Sequence, residues 1–482
     1  MKRTFVFSLF LCLLSSLFSF TTIAQEYKDF DISRYYTPDI VRNQLDVTFS
    51  GAGSLSNSTN NSFNGSNDND VNAYLSSAFI NYVNTRKMIR TINAGLGLRG
   101  YSNVSNDLTN PLKSQSGNFD NGAGIGASYQ FFNKTNQFLS FGGNINYDYF
   151  SGYSNKTNNL NQADRANSNR FYTNLYAYIG AGVGRIEIVT DAQQAIYMID
   201  AFEKNRILSR DLSSNEIFKL SQEISRIKNK RFLDSRLHLI DEVSRVDSFF
   251  VANKLIYKSD AKYFTTLYDI WLYGDKFERK SGSALELRFS PNMSINNSYA
   301  KNIYTILTDS LSETKDYFSS SQYNIYLSYN YEKPDHQKWQ HSVNAMLGFA
   351  SSSYTASSHD IVLSSTNNSS TETKMTNASV GYKLGFYPDT RTNIFAQIDQ
   401  NAEYNIYAAS TVNGNNQVSN LNTLVLNSSL NCGMYYYFSP QLRLSAVLNF
   451  SNVHNIQFTS RSSSASNILS SNFSVGANYS FF

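Results

Sequence analysis

The sequence has few cysteines, few prolines and few charged residues. Only 2 of its 482 residues are cysteine, so it has no disulfide framework. Charged residues make up 16%, compared with about 25% in an ordinary soluble domain. The 6 prolines and the net charge of +4 argue against a disordered chain and against a charge-driven nucleic-acid binder. The plentiful residues are instead Asn, Ser, Thr and Gly, together with 34 Tyr and 34 Phe.

Long apolar runs are also missing, apart from one at the N-terminus. The run from Phe5 to Phe20 follows Lys2 and Arg3 and precedes small residues that end at Ala24. This order is typical of a secretory signal peptide, and we expect cleavage after Ala24. The run is short for a membrane-spanning helix, which needs about 20 residues, and Cys12 lies too early for a lipoprotein signal. Because no later stretch reaches about 18 apolar residues, a helical membrane protein is excluded.

Most of the chain alternates apolar and polar residues with a period of two. From Leu139 to Tyr149 the odd positions are mainly apolar or aromatic, and the even positions are Ser, Gly, Asn or Asp. This period indicates strands with one apolar and one polar face. The polar face carries uncharged Asn, Ser, Gly and Gln, where a soluble sandwich would carry Lys, Glu and Arg. The pattern therefore favours an all-β transmembrane antiparallel β-barrel over a secreted sandwich or solenoid, with apolar side chains toward lipid and polar ones toward the lumen.

The alternating segments predict 14 strands, an even number as expected of a single-chain bacterial barrel. Their predicted starts are Leu45, Tyr74, Ile89, Gly122, Phe138, Phe171, Ala284, Tyr323, Ser342, Met375, Asn393, Leu424, Leu442 and Leu469. Connections after even-numbered strands are tight, which is typical of periplasmic turns. Connections after odd-numbered strands are rich in Asn and Ser and predict long extracellular loops over 56–69, 102–119, 154–168, 296–321 and 352–373.

One connection, residues 185–280 after the sixth strand, differs from the rest. It holds 17 Lys and Arg and 15 Asp and Glu, and its apolar residues recur every three or four positions. Four helices are predicted: one with the capping box Thr190–Gln193, one with the capping box Ser213–Glu216, one from Arg231 onward, and one from Asp260 to Leu272 ended by Gly274. The predicted organisation is a signal peptide over 1–24, barrel strands over 25–184 and 281–482, and a periplasmic helical insertion over 185–280.

Three interpretations of the insertion stay open: it docks a periplasmic or outer-membrane protein partner, it closes or steadies the barrel, or it plugs the lumen. Its balanced charge gives no support to polyanion binding. Docking is favoured by aromatic residues beyond the needs of a small core, namely Phe249, Phe250, Tyr257, Tyr263, Phe264 and Trp271.

The chain resembles outer-membrane β-barrel proteins of Bacteroidota. The resemblance lies in the signal ending at Ala24-Gln25, the alternation throughout, and the last segment, Phe473 to Phe482, with its aromatic end. It implies a barrel set in outer-membrane lipid and inserted by the barrel-assembly machinery, with Tyr479, Phe481 and Phe482 as the candidate assembly signal. The start of the insertion, Gly184 to Ala192, is similar to that of uncharacterised members of such families, so no activity is implied.

By alternation, seven charged residues fall on the polar face and are candidates to line the lumen: Arg99, Asp148, Glu286, Arg288, Lys383, Asp399 and Arg443. Charges of both signs across a pore would tune solute passage. The alternative is a network of hydrogen bonds and ion pairs that fills a closed interior.

No pattern in the sequence indicates catalysis, a metal site or a cofactor. Cys, His and carboxylate residues lack metal-ligand spacing, and the 5 histidines form no catalytic arrangement. We therefore expect no enzyme and no nucleic-acid binding. The leading hypothesis is a structural or complex-forming, porin-like outer-membrane protein. The alternative is a passive channel or transporter for small hydrophilic solutes.

Overall fold

Fourteen long strands form one antiparallel sheet. The computed structural model describes residues 30–59, 65–107, 113–160, 162–230, 239–306, 310–412, 415–416, 422–458 and 463–479. The strands are β1 (Ile40–Thr59), β2 (Gly65–Asn84), β3 (Met88–Asp107), β4 (Lys113–Phe132), β5 (Gln137–Thr157), β6 (Ala163–Ile188), β7 (Lys280–Tyr304), β8 (Ser310–Asp335), β9 (Trp339–Asp360), β10 (Ser365–Phe386), β11 (Thr392–Val412), the two-residue β12 (Asn415–Asn416), β13 (Asn422–Tyr437), β14 (Leu442–Phe458) and β15 (Ser463–Tyr479).

Each long strand pairs with the long strands that precede and follow it in sequence. The order runs from β1 to β11 and then through β13, β14 and β15, while β12 pairs only with β11. Between the described residues of β1 and β15 the sheet order contains no pairing. The prediction of 14 antiparallel strands, with helices between the sixth and seventh, is confirmed. This up-and-down sheet has the architecture of a transmembrane β-barrel.

The two faces of the sheet differ as the alternation predicts. In β5 the apolar side chains of Leu139, Phe141 and Ile145 are 62%, 44% and 50% exposed, whereas Ser140 on the opposite face is fully buried. The same exposed apolar row continues on neighbouring strands, for example at Leu175. An apolar outer face and a polar inner face are the arrangement of a barrel in lipid.

The predicted long loops are wrong. Strand starts after tight turns agree with the structure within a few residues, as for Ile89 in β3 and Phe138 in β5. In contrast, β2, β4, β6, β8 and β10 begin 8 to 13 residues earlier than predicted. The Asn- and Ser-rich segments continue the ladders, for example from Ser54 opposite Asp70. A 20-residue strand tilted by about 40° rises about 50 Å, roughly twice the apolar band of a membrane barrel. Outside that band both faces of the sheet are in water. Apolar and polar residues therefore no longer need to alternate there, although the strands still pair through their backbones.

Four helices lie between β6 and β7 and form the helical insertion. They are α1 (Thr190–Lys204), α2 (Ser214–Lys228), α3 (Leu239–Ala252) and α4 (Ala261–Tyr273). The capping box at Ser213 and Glu216 is confirmed, and Gly274 ends α4. The capping box predicted at Thr190 is wrong, because α1 begins at Thr190 and its N-cap, Val189, makes no side-chain hydrogen bond. The stretch from Arg231 to His238 lies outside the described residues.

The insertion has its own apolar core, which also contains the start of the described chain. Its largest buried side chains include Phe202 of α1, Leu220 of α2, Phe250 of α3 and Leu267 of α4. Tyr35, from the segment before β1, is 1% exposed within the same core. The segment that sequence reasoning assigned to the barrel therefore packs with the helices. Within the part of the chain described, no helix combines the length and the apolar character that a membrane crossing requires.

Candidate functional site

The strands bring two of the predicted lumen residues into one cavity. Arg99 of β3 and Asp148 of β5 both line a cavity of about 680 Å³ on the polar face of β2 to β7. Two further charged residues, Asp120 of β4 and Arg170 of β6, line the same cavity. The cavity therefore holds two guanidinium groups and two carboxylates.

The pairing register arranges these side chains in two neighbouring rows. Tyr74, Arg99, Asp120, Phe150 and Arg170 lie directly opposite one another on successive strands and form the upper row. The lower row lies two residues closer to the tight turns and consists of Gly97, Gly122, Asp148, Tyr172 and Asn296. Because adjacent strands lie about 4.8 Å apart, the upper row spans about 19 Å from the first residue to the last.

Glycine is required in the floor of this cavity. A Cβ atom on Gly122 would lie 2.6 Å from Oδ1 of Asp148, so any side chain there would displace the carboxylate. A Cβ on Gly97 would meet only the ring of Tyr74, at 3.9 Å. The glycine therefore lets Asp148 lean across β4.

Sequence reasoning missed Asp120 and Arg170 because it placed strand starts too late. The predicted starts Gly122 and Phe171 left both residues outside the predicted strands, whereas β4 and β6 begin earlier. Both residues share the parity of Asp148, so extending the alternation by two residues would have found them.

Glu286 and Arg288 form a buried ion pair at a different point of the polar face. The Nη2 and Nε atoms of Arg288 lie 2.7 and 3.0 Å from the carboxylate oxygens of Glu286, which is 7% exposed. The hydroxyl of Ser140 also donates to Glu286, and the rings of Tyr178 and Tyr326 flank the guanidinium. This pair matches the expectation of a filled interior rather than that of a free charge.

The remaining three candidates have individual partners on β10 to β14. Gln397 donates to both carboxylate oxygens of Asp399, at 3.1 and 2.9 Å. The ammonium of Lys383 lies 4.8 Å from the ring centre of Phe395. The guanidinium of Arg443 lies over a neighbouring tyrosine ring at 5.2 Å. Of the seven predicted residues, Arg99 and Asp148 therefore line the cavity described above.

The helical insertion is fastened to the tight turns of the sheet through one buried arginine. Arg279, just before β7, is 1% exposed. Its guanidinium donates to Oε1 of Gln193 in α1 and to the backbone carbonyls of His336, Gln337 and Trp339 in the β8–β9 turn. Burial lowers the pKa of Arg279, although arginine stays protonated over the ordinary pH range. Every acceptor here is neutral, so this arginine bonds the turn without a counter-ion.

Further contacts spread over the turn between β10 and β11. The hydroxyl of Tyr197 lies 3.4 Å from the carbonyl oxygens of Tyr387 and Asp389. Arg391 forms an ion pair with Asp269 of α4, and its guanidinium also lies 3.9 Å from the ring centre of a tyrosine at the end of α4. These contacts join α1 and α4 to the same turn.

A third set of contacts reaches the turn between β2 and β3, on the other side of the insertion's root. Glu187, at the end of β6, pairs with Arg86 and Arg185, each at 2.8 Å. Arg185 donates to the side chain of Asn84 at 2.6 Å. Thr37 in turn accepts from Asn84 and donates to Glu187. The tight-turn end of the sheet, the insertion and the segment before β1 thus form one bonded unit.

The aromatic residues offered in favour of partner docking divide into two groups. Phe250, Tyr263 and Trp271 are buried in the core of the insertion, so these three give no support to docking. Phe249 packs partly buried against that core. Tyr257 and Phe264 are 72% and 40% exposed.

The candidate assembly signal lies mostly beyond the described residues. Tyr479 is the last residue of β15 and is 52% exposed, while Phe481 and Phe482 lie outside the described part of the chain, as does the predicted signal peptide. Among the described residues no group of three or more His, Cys, Asp or Glu is placed to hold a metal ion.

No protein-family model and no curated protein sequence matches this chain. Among solved structures it is similar to a mutant of the TodX monoaromatic hydrocarbon channel, with 9% identity over 93% of this chain and 92% of that one and a TM-score of 0.29. It is also similar to the ferric yersiniabactin uptake receptor FyuA from Yersinia pestis, with 9% identity over 92% and 68% of the two chains and a TM-score of 0.35. A third is the translocator domain of the autotransporter NalP from Neisseria meningitidis, with 9% identity over 92% and 88% and a TM-score of 0.25. All three are outer-membrane β-barrel proteins.

Proposed function

We propose that the protein is an outer-membrane β-barrel that lets small hydrophilic solutes pass, with the helical insertion held under its periplasmic end as a brace. The observation that carries solute passage is the cavity of about 680 Å³ with accessible charges of both signs on the polar face. A filled, purely structural interior would pair these charges, as Glu286 and Arg288 are paired. The proposal assigns no catalytic step to the chain.

Placement in the outer membrane is supported by the outward face of the sheet. Its exposed apolar residues continue from strand to strand, as at Leu96, Ile145, Leu175 and Leu347. The predicted signal peptide and the predicted recognition of the last strand by the barrel-assembly machinery agree with that compartment. The tight-turn end, which carries the helices, would then face the periplasm.

The bracing role is supported by how the insertion is fastened. The buried guanidinium of Arg279, the ion pair of Arg391 with Asp269 and the cluster around Glu187 attach it to three separate turns of the sheet. A domain that only presented a docking surface would need no such spread of contacts.

Conductance of the purified protein in a planar lipid bilayer tests solute passage. We expect steady single-channel steps that persist in the Asp399→Asn variant, since Asp399 lies outside the cavity and Gln397 already donates to both of its carboxylate oxygens. A protein that inserts with its full strand content and yet conducts no ions would overturn the channel and leave a structural barrel.

Docking of a protein partner is a second candidate, favoured by one exposed patch. Phe264 and Tyr268 lie four residues apart on α4, at 40% and 46% exposure, and Tyr257 nearby is 72% exposed. The partner would be a periplasmic or outer-membrane protein with an apolar surface. Replacing Phe264 and Tyr268 by serine should remove any partner that co-purifies with the wild type, and unchanged co-purification would end this candidate.

A further inference from the structure

We propose that the cavity between β2 and β7 is a binding site for zwitterionic solutes of about tripeptide length. The proposal rests on the proposed passage of small hydrophilic solutes and adds the solute class. Its basis is the joint placement of two guanidinium groups, two carboxylates and four aromatic residues around one cavity.

The charges of the cavity are left without partners of opposite sign. Arg99 lies directly opposite Asp120 in the register, yet within the described residues its guanidinium hydrogen-bonds to Asn72 Oδ1, at 3.4 Å, and forms no ion pair. Asp120 and Asp148 have neither an ion pair nor a hydrogen bond from the described residues, and Arg170 meets only the ring of Phe150, at 5.8 Å. Each charged group therefore has free capacity for a ligand.

Elsewhere on the polar face, two opposite charges pair directly with each other. Arg288 makes two bonds to Glu286, only two residues away on one strand. Arg99 and Asp120 lie directly opposite each other on adjacent strands, yet they form no ion pair within the described structure. Separated charges of both signs suit a solute that carries both signs itself.

The spacing of the charges matches a short extended peptide. Asp120 and Arg170 are two strands apart, about 10 Å at 4.8 Å per strand. Three extended residues also span about 10 Å. The terminal ammonium would bond Asp120 and Asp148, while the terminal carboxylate would take the paired N–H groups of Arg170, the geometry in which guanidinium binds carboxylate best.

Aromatic rings and a glycine complete the site. Tyr74, Phe150 and Tyr172 line the cavity and offer apolar surface to the solute's side chains. Gly122 leaves the volume into which Asp148 leans. A cavity of about 680 Å³ lies within the range of 300 to 1,000 Å³ that is usual for small-molecule sites.

The site lies about midway along the strands of the sheet. Arg99 is eleven residues from the tight-turn start of β3, which corresponds to about 28 Å along the barrel axis. That height is the far edge of an apolar band of about 25 Å. The cavity therefore lies about midway along the 20-residue strand β3, at the outer edge of that apolar band.

Two measurements on the purified full-length protein test the proposal separately from the channel. Isothermal titration calorimetry in detergent measures binding of triglycine, of triglycine with both termini blocked, and of an uncharged trisaccharide. Bilayer conductance measures block of the current by the same three solutes. We expect triglycine to bind and block at concentrations at least ten-fold lower than the two uncharged solutes.

Variants of the same shape provide the control. The double variant Asp120→Asn, Asp148→Asn should lose the ten-fold preference for triglycine over its blocked form. The variant Asp399→Asn, on β11 and outside this cavity, should keep it. Binding without conductance would retain the site and overturn solute passage. Conductance with equal block by all three solutes would overturn the site and retain the channel, and loss of both signals would overturn both.

Discussion

The buried guanidinium of Arg279 donates to the side-chain oxygen of Gln193 and so joins the chain that leaves the helical insertion to the helix that begins it. The two residues are 86 positions apart in sequence. The same guanidinium bonds three carbonyls of the β8–β9 turn. The side chain of Arg279 therefore joins the two ends of the insertion and attaches them to the β8–β9 turn of the sheet.

Replacing this side chain should loosen the insertion. Arg279→Ala removes the donor that bonds the part-buried carbonyl oxygens of Gln337 and Trp339 and the side chain of Gln193. Leaving a buried polar group unsatisfied costs about 1–3 kcal/mol. We expect faster proteolysis within the insertion and a lower melting temperature. The control is Arg226→Ala, whose side chain is 53% exposed in an ion pair with Glu223 and should change stability by less than about 1 kcal/mol. Equal effects of the two variants would contradict the role of Arg279.

Two glycines at the root of the insertion should resist substitution. Gly282 has φ +117°, and a Cβ added there would lie 2.1 Å from the carbonyl oxygen of Arg185 on the paired strand. Gly184 has φ +100° and a contact of the same length to Ser283. Gly282→Ala should destabilise the protein by about 1–3 kcal/mol, because backbone strain adds to the clash.

Gly100→Ala is the matched control for that experiment. Gly100 also lies in a strand, but its φ is not positive and an added Cβ would meet nothing within 4 Å. Thermal unfolding of both variants measures the difference. If Gly282→Ala were as stable as Gly100→Ala, the positive φ at Gly282 would carry no strain.

Helix α2 should weaken in acid through its cap. The ion pair with Arg210 and the bonds from Ser213 lower the pKa of Glu216 from an ordinary value of 4.5 to about 2. Because the folded-state pKa is the lower one, the stabilisation is complete above the unfolded-state value and is lost as the pH falls from about 4.5 to 2. Circular-dichroism melts at pH 7 and pH 3 should show lower helix stability at pH 3.

Two variants separate this effect from general acid denaturation. Glu216→Gln removes the titrating group, so its melting temperature should change less between pH 7 and pH 3 than that of the wild type. Ser213→Ala removes the N-cap acceptor and should cost about 1 kcal/mol at pH 7. A Glu216→Gln protein with the full acid sensitivity of the wild type would rule out this carboxylate as its source.

The sequence predicted strand positions correctly where contact with lipid requires apolar and polar residues to alternate. Leu139 to Tyr149 lies in the membrane band, where an apolar residue must face outward at every second position, and its strand start agrees with the structure within one residue. Beyond the band nothing enforces the period, so the first residues of β8 look like a loop in sequence. Asp120 and Arg170 lie at this boundary and were lost for that reason. Arg279 was missed because its function depends on turn carbonyls that have no sequence signal.

The contact of Tyr35 with the helices was also beyond sequence reasoning, since it joins residues 190 positions apart, and it supports a last prediction. The hydroxyl of Tyr35 lies 2.7 Å from Oγ of Ser225 in α2, and its ring packs edge-on against Phe218. Burial and the carboxylate of Asp191 raise the pKa of Tyr35, so the hydroxyl remains protonated at physiological pH. Tyr35→Phe should cost about 1 kcal/mol, and Tyr35→Ala, which also leaves a cavity, about 3–5 kcal/mol.

Tyr36 provides the comparison for this prediction, because it touches the same Phe218 ring but is 43% exposed. Tyr36→Phe should leave the melting temperature of the insertion almost unchanged. Hydrogen exchange of α2 amides measures both variants at one site, and we expect faster exchange only for Tyr35→Phe. Equal exchange in the two variants would mean that the segment before β1 rests on the insertion without stabilising it. Faster exchange for Tyr35→Phe alone would make the segment before β1 a structural part of the brace, since the core of the insertion would then depend on it.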